Sequence, residues 1–170
     1  MTVAVKPPTD LVEPALREAM RQMAGTVSVI TVGEGEHRTG LTATSAVSLS
    51  VDPPTMLVCV SRTASAWPLF QRYGHFCVNV LGPQHQAVAD RFAGRDGAKG
   101  AARYEGARWE RLATGALALA DAVAAVDCAI EEIFERHSHA ILIGAVRAIR
   151  VRGGDPLVYA KGRYGLFSTA

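Results

Sequence analysis

Short runs of apolar and β-branched residues, most of them ended by a turn signal, dominate the hydrophobic pattern of the chain. Runs of this kind predict β-strands. Residues 26–32 and 37–49 flank a Gly-Glu-Gly-Glu segment and predict a β-hairpin, and further strands are predicted at residues 55–61, 75–81 and 139–151. Because strands outnumber helices and short turns join most of them, the pattern predicts an antiparallel, barrel-like sheet with a few helices.

Three segments carry helix signals instead. In residues 10–24, apolar residues recur at helical spacing, with Asp10 as the predicted N-cap and a glycine after the last turn. Residues 65–74 predict a short helix that begins at Ser65 and tolerates a proline in its first turn. Residues 82–94 begin with Gly-Pro and predict a third helix.

Residues 117–134 are compatible with two interpretations. The segment is rich in alanine, and Val123, Val126 and Ile130 follow helical spacing, so propensity alone favours a helix. The surrounding strand-rich pattern favours a strand. From the residues themselves, helix and strand have equal weight here.

The length of the chain predicts one domain. Its 170 residues fall within the usual size of a single domain. The proline-rich residues 1–9 are predicted to form a flexible N-terminal arm, and residues 10–170 a single domain. A hydrophobic content of 49% with 20% charged residues argues against intrinsic disorder.

The charges and cysteines restrict the partners and the compartment. Eighteen basic and sixteen acidic residues are scattered along the chain and leave a net charge of +2, so no basic footprint for nucleic acid or an anionic membrane is present. The apolar runs are too short for a membrane span, and the N-terminal sequence lacks the apolar stretch of a secretory signal. Three cysteines without CxxC spacing are typical of small buried residues in a reducing compartment. We therefore predict a cytoplasmic protein without nucleic-acid or membrane partners.

No nucleophile, phosphate-loop or metalloprotease motif occurs in the sequence. His137 and His139 would share one face of a strand, but two histidines without a third ligand at suitable spacing argue against a metal site. Two polar segments remain as candidates for binding chemistry. Residues 42–45 combine hydroxyls with small side chains after a strand, and residues 61–65 lie between a strand and a helix.

The second polar segment has the composition of a phosphate site. Ser61, Arg62 and Ser65 surround a predicted helix N-terminus, where hydroxyls, a guanidinium and free amides favour an anion. On composition alone, a simpler interpretation has more weight. In that interpretation Ser65 caps its helix and Arg62 is a solvated surface charge.

Seven segments of the sequence form a recognisable series when taken together. They are AGTVSVIT, GLTATSAVSLSVDPPTMLVCVSRTASAW, GHFCVNVL, ADRFAG, RYEGARW, HAILIGAV and PLVYAKGRY. In this order and spacing they resemble the flavin reductase-like family, the small reductase components that supply reduced flavin to two-component monooxygenases. The resemblance extends from about Arg17 to Tyr164, and residues 40–65 are its strongest part.

The resemblance implies a mainly β fold with a few helices, the FMN-binding split β-barrel, as a homodimer that holds flavin near the subunit interface. It also implies a strand around residues 127–129. The residues implied to contact the flavin are Thr42, Ala43, Thr44 and Ser45 at the ring and ribityl chain, Ser61, Arg62, Ser65 and Ala66 at the phosphate, and the pair Arg103 and Tyr104.

The implied function is that of an NAD(P)H:flavin oxidoreductase. It would reduce FMN or FAD with NADH or NADPH and pass the reduced flavin to a partner monooxygenase, with His139 and Tyr164 on the nicotinamide side. Hydride transfer between two cofactors needs no protein nucleophile, which agrees with the missing motifs. The family's usual Gly-Asp-His triplet is His137-Ser138-His139 here. This departure leaves open a flavin-binding protein of the same fold that stores or senses its ligand without turnover.

Overall fold

The computed structural model describes residues 12–167. The predicted N-terminal arm and the predicted cap Asp10 lie outside the described residues. The helices are α1 (Val12–Arg21), α2 (Trp67–Tyr73) and α3 (Gln86–Phe92), with short 3-10 helices at Gly35–His37, Pro83–His85 and Gly100–Tyr104. The strands are β1 (Gly25–Thr26), β2 (Ser28–Val32), β3 (Thr39–Ala43), β4 (Ala46–Val51), β5 (Pro54–Ser61), β6 (His75–Val80), β7 (Trp109–Arg111), β8 (Leu117–Leu119), β9 (Ala124–Arg136), β10 (His139–Val151), β11 (Leu157–Ala160) and β12 (Arg163–Leu166).

A seven-stranded sheet with the order β3-β2-β6-β9-β10-β5-β4 forms the centre of the fold. Strands β1, β11 and β12 form a three-stranded sheet, and β7 pairs with β8. All pairings among the described strands are antiparallel. The predicted class, mainly β with a few helices, is confirmed.

The predicted second strand of the first hairpin, residues 37–49, is wrong in its extent. Strand β3 ends at Ala43 and β4 begins at Ala46, and the two strands lie at opposite edges of the seven-stranded sheet. The chain therefore leaves one edge and joins the other at Thr44 and Ser45. Small hydroxyl residues lie at this change of edge, but the β-branched and apolar residues on both sides of them predicted one continuous strand.

The ambiguous segment is resolved in favour of strands. Residues 117–119 form β8, and the long strand β9 covers Ala124–Arg136. Strand β9 pairs with β6 on one side and with β10 on the other, so its backbone groups are satisfied in the sheet. Tertiary pairing thus overrides the helix propensity of the alanines, and the strand implied by the resemblance is confirmed.

The capping interpretation of Ser65 is wrong. Helix α2 begins at Trp67, its N-cap is Ala66, and no side chain caps it. The predicted end of this helix is confirmed, because Gly74 adopts a left-handed φ of 63° and donates its amide to Phe70. The Ser65 hydroxyl therefore lies outside the helix and does not cap its N-terminus.

Two clusters of apolar side chains form most of the core. One contains Phe70 and Phe76 between the large sheet and α2, and the other contains Phe92 and Leu119 beneath α3. The three cysteines are free, as predicted. Burial raises the pKa of the Cys128 thiol to about 12.

Helix α1 differs from the other helices because none of its residues is buried. Leu16 and Met20, on its apolar face, are 56% and 59% exposed. Helix α1 thus has the apolar face that the sequence predicts, but no part of the described chain buries this face. In residues 12–167 no helix has the length and apolar character to cross a membrane.

Candidate cofactor-binding cleft

The change of edge after β3 creates one wall of a cleft of about 520 Å³. The opposite wall is the end of β5 with the loop that leads to α2. The end of α3 and the start of β10 complete the cleft. Its lining residues are Leu41, Thr42, Ala43, Thr44, Ser45, Cys59, Val60, Ser61, Ala64, Ser65, Phe92, Ala93, Arg103 and His139.

The loop between β5 and α2 presents free hydrogen-bond donors to this cleft. Two turns shape it, because Ala64 donates its amide to Ser61 at 3.1 Å and Trp67 donates to Ala64 at 2.9 Å. Within residues 12–167, the amides of Ser65 and Ala66 and the Ser65 hydroxyl have no hydrogen-bond partner. Ala66 is fully buried, whereas Ser65 lines the cleft, and the two free donors of Ser65 favour a bound anion there.

The charged groups of the cleft are basic. Arg103 lines it, and its guanidinium is fixed by the backbone, since Nε donates to the Ala98 carbonyl at 3.1 Å and a terminal nitrogen donates to the Gly40 carbonyl. His139 lies at the start of β10. No aspartate or glutamate of the described chain lines the cleft. The cleft therefore attracts a negatively charged ligand without like-charge repulsion.

Several predicted hydroxyls of the cleft are engaged within the protein. Thr42 donates its hydroxyl to the Ala89 carbonyl at 2.6 Å, and Ser45 donates to the Cys59 carbonyl at 2.8 Å. These bonds tie the wall after β3 to α3 and to β5. The hydroxyl of Thr44 makes no such bond among the described residues. Thr42 and Ser45 thus hold the wall in place, and their predicted contact with a flavin stays a prediction.

Three of the residues predicted to contact the flavin do not line the cleft. The guanidinium of Arg62 turns to the β9–β10 hairpin, where it donates to the His137 carbonyl at 3.0 Å and pairs with Glu135 at 2.7 Å. Ala66 is fully buried in the core and is absent from the cleft lining. Tyr104 is 5% exposed and donates its hydroxyl to the Thr39 carbonyl at 2.6 Å.

Tyr164 borders a second, smaller cavity of about 190 Å³ on the other side of the wall after β3. This cavity shares Thr42, Ala43 and Thr44 with the main cleft. The Tyr164 hydroxyl donates to Asp90 at 3.1 Å, and burial together with Asp90 raises the pKa of Tyr164. His139 and Tyr164, the two predicted nicotinamide residues, therefore lie in adjacent cavities separated by the same wall.

Comparison with known proteins decides which family this arrangement belongs to. A family model described as the flavin reductase like domain matches residues 20–168. The chain belongs to the flavin reductase-like family. An FMN reductase (NADH) of Methylorubrum extorquens strain PA1, RutF 2, is 45% identical over 151 residues, which are 88% of this chain and 87% of that protein.

Two solved structures of flavin reductases share the fold. BorF, the flavin reductase component of a bacterial two-component tryptophan halogenase, is 31% identical with a TM-score of 0.83 over 92% of this chain and 99% of its own. The NADH:FAD oxidoreductase SgcE6 of Streptomyces globisporus C-1027, in complex with NAD and FAD fragments, is 27% identical with a TM-score of 0.83 over 96% of this chain and 98% of its own. The predicted split β-barrel of the flavin reductase-like family is confirmed.

The main cleft of this flavin reductase-like chain has the properties that a flavin nucleotide requires. Its volume is within the range of ~300–1,000 Å³ that is usual for small-molecule sites. Leu41, Val60 and Phe92 contribute apolar atoms to the lining beside a flat ring, and the free amide and hydroxyl of Ser65 suit a phosphate. The residues present therefore fit the group that the family implies.

Phe92 and Ala93 line the cleft but were not predicted to do so from the sequence. They lie in the segment ADRFAG, which carries part of the resemblance and was the available signal. Cys59 is also in the lining, where it is partly exposed. Its apolar neighbours in the sequence pointed to a buried position instead.

Proposed function

We propose that this protein is an NAD(P)H:flavin oxidoreductase that reduces free FMN or FAD. The observation that carries the proposal is the cleft itself, which has unpartnered donors at one end, apolar walls and no carboxylate among its described lining residues. The 45% identical relative named FMN reductase (NADH) supports FMN as acceptor and NADH as donor. The SgcE6 complex with NAD and FAD fragments supports the same pair of cofactor classes.

The proposed positions of the ligand follow from the free groups of the cleft. The hydroxyl and amide of Ser65, together with Arg103, hold the flavin phosphate, and the predicted contact with Ala66 stays a prediction. Thr42, Ala43, Thr44 and Ser45 form the wall beside the ring and ribityl chain, with Ser61 at the end of β5. His139 and Tyr164 hold the nicotinamide nucleotide.

The redox chemistry is supplied by the flavin and the nicotinamide when both are bound. The protein has to hold two flat rings in contact and aligned, and this positioning is the main contribution that the chain makes to the rate. The side chains of Thr42, Ser45 and Arg103 donate hydrogen bonds to backbone carbonyls, and these bonds fix the walls of the cleft before a ligand binds. A rigid site of this kind avoids the cost of ordering its side chains on binding.

A steady-state assay with two flavins and two nicotinamides tests the proposed activity. We expect the protein to oxidise NADH only when FMN or FAD is added, with the rate measured from the loss of NADH absorbance. A heat-denatured sample provides the background rate of the free flavin. Tight flavin binding without NADH or NADPH oxidation would overturn the proposal and favour a storage or sensor protein.

We also propose that the reduced flavin is passed to a partner monooxygenase, in the cytoplasm. The solved relative BorF is a component of a two-component halogenase, which supports a partner that uses reduced flavin. The three free thiols fit a reducing compartment.

A homodimer through the edge strand β4 completes the proposal. Val47, Leu49 and Val51 of this strand are 53%, 52% and 86% exposed, and Phe134 on β9 is 49% exposed. An edge strand with exposed apolar side chains is a surface that favours association with another chain. Twofold dimers are the commonest oligomers, so we assign this surface to a second copy.

Substitution of Val47 by glutamate is expected to weaken the dimer at least about tenfold, because a charge would be buried in the apolar contact. The dimer dissociation constant is measured by sedimentation or light scattering over a dilution series. Ala113→Glu is the matched control, because Ala113 is exposed and lies between β7 and β8, away from β4 in the sequence. A wild-type protein that is monomeric at every concentration would contradict the proposal.

A further inference from the structure

Arg62 connects the end of β5 to the bend between β9 and β10 through three contacts. Its guanidinium donates to the His137 carbonyl at 3.0 Å and pairs with Glu135 at 2.7 Å. Its backbone amide donates to the Ser138 carbonyl at 2.9 Å. A single residue after β5 therefore contacts the end of β9 at Glu135 and both residues of the bend, His137 and Ser138.

The bend that Arg62 holds is strained. His137 has a φ of 53°, in the left-handed region that residues other than glycine adopt at a cost. Such a conformation persists only when the surrounding contacts favour it over the relaxed alternatives. The bonds from Arg62 to the His137 and Ser138 carbonyls, which belong to the two peptide groups that flank Ser138, supply contacts of this kind.

The geometry of the bend determines where His139 lies. Strand β10 begins at His139, directly after the bend, and His139 is paired with Ser61 on β5. The Ser138 hydroxyl is 2.9 Å from Nδ1 of His139. His139 is also the residue that brings β10 into the lining of the main cleft. Any relaxation at His137 therefore moves the imidazole relative to the cleft.

We propose that Glu135 and Arg62 form a clamp that positions His139 for the nicotinamide nucleotide. Glu135 orients the guanidinium, the guanidinium holds the His137 carbonyl, and the bend then places the imidazole. Glu135 is thus a positioning residue that contacts neither cofactor. This inference rests on the proposed reductase activity, and it gives Arg62 a role distinct from the phosphate contact implied by the resemblance.

The two roles of Arg62 predict different losses. If the guanidinium contacts the flavin phosphate, substitution of Arg62 weakens flavin binding, and substitution of Glu135 frees Arg62 and leaves flavin binding intact or stronger. If the clamp operates, substitutions of either residue raise the KM for NADH to a similar extent. Flavin affinity then changes little, because the phosphate donors belong to Ser65 and Arg103.

The test is the Glu135→Gln variant in the full chain. We expect a rise in the KM for NADH of about three- to tenfold, equivalent to about 0.7–1.4 kcal/mol, with the FMN dissociation constant within about twofold of the wild type. The double variant Arg62→Glu/Glu135→Arg restores the ion pair in reverse but places a carboxylate, which cannot donate, beside the His137 carbonyl, so we expect it to keep the loss of affinity for NADH. Glu131→Gln is the control, since Glu131 is exposed on the same strand and makes no ion pair within the described residues.

Hydrogen exchange supplies a readout that does not depend on activity. In Glu135→Gln, the Arg62 amide, which donates to the bend, is expected to exchange about tenfold faster, a loss of about 1.4 kcal/mol of local protection. Amides of the central strand β6 keep their wild-type exchange. If the wild type oxidises no NADH, the proposed function fails while the exchange still decides on the clamp. Unchanged exchange, or a loss of FMN affinity as large as the loss for NADH, would overturn the clamp.

Discussion

FMN binding is expected to weaken at least about a hundredfold, or about 2.8 kcal/mol, when Ser65 is replaced by aspartate. The substitution places a carboxylate beside the Ser65 amide, which we assign to the flavin phosphate. Two like charges about 4 Å apart repel by ~4 kcal/mol at the effective dielectric constant of a protein surface. The described lining of the cleft contains no carboxylate, so the substitution introduces a negative charge where the lining has none.

Replacement of Ser65 by asparagine is the matched control, because its side chain has nearly the same size as aspartate without the charge. Titration of FMN fluorescence gives the dissociation constant of each variant. Ser65 is exposed and lies before α2 without capping it, so neither variant is expected to affect folding. Equal affinities of the aspartate and asparagine variants would show that the phosphate binds elsewhere.

Substitution of Asn79 by alanine is expected to lower the free energy of unfolding by about 2–4 kcal/mol, since each buried polar group left unpaired costs roughly 1–3 kcal/mol. Asn79 is fully buried on β6. Its Oδ1 accepts a hydrogen bond from the Leu119 amide at 2.7 Å, and its Nδ2 donates to the Val29 carbonyl at 3.1 Å. The side chain thus joins β8 to the large sheet, and its loss leaves the Leu119 amide without this partner.

Denaturation by urea measures the change in stability through a shift of the midpoint. Replacement of Asn79 by leucine separates the two contributions to the loss. Leucine fills the volume of the asparagine but cannot accept the hydrogen bond from Leu119, so we expect it to remain destabilising. A leucine variant as stable as the wild type would mean that the loss in the alanine variant comes from the cavity alone.

Much of the site was predictable from short segments of the sequence. Thr42–Ser45, Ser61, Ser65, Arg103 and His139 lie in four separate parts of the chain, and all line the same cleft. The segments that contain them carry the resemblance to the flavin reductase-like family. Their polar and small side chains interrupt strands at the points where the chain turns. Such interruptions can be recognised in the sequence alone.

The direction of individual side chains was not predictable. Arg62 lies in the segment that was expected to hold a phosphate, yet its guanidinium binds the His137 carbonyl, 75 positions further along the chain. Tyr104 was expected beside a flavin and instead donates to Thr39, 65 positions away. A long polar side chain forms its hydrogen bond with an acceptor that the fold brings close to it. The sequence does not show which distant acceptor this is.

The sequence by itself determined the strand-rich pattern, the C-terminal end of α2, both ends of β10 and the segments that identify the family. These features depend on local chemistry, such as β-branched runs, a glycine that adopts a left-handed conformation and proline at a helix start. Only the tertiary structure decided that residues 124–136 form a strand and that β3 and β4 lie at opposite edges. The physical reason is that backbone hydrogen bonds to distant strands and burial between β6 and β10 outweigh the small differences in local propensity.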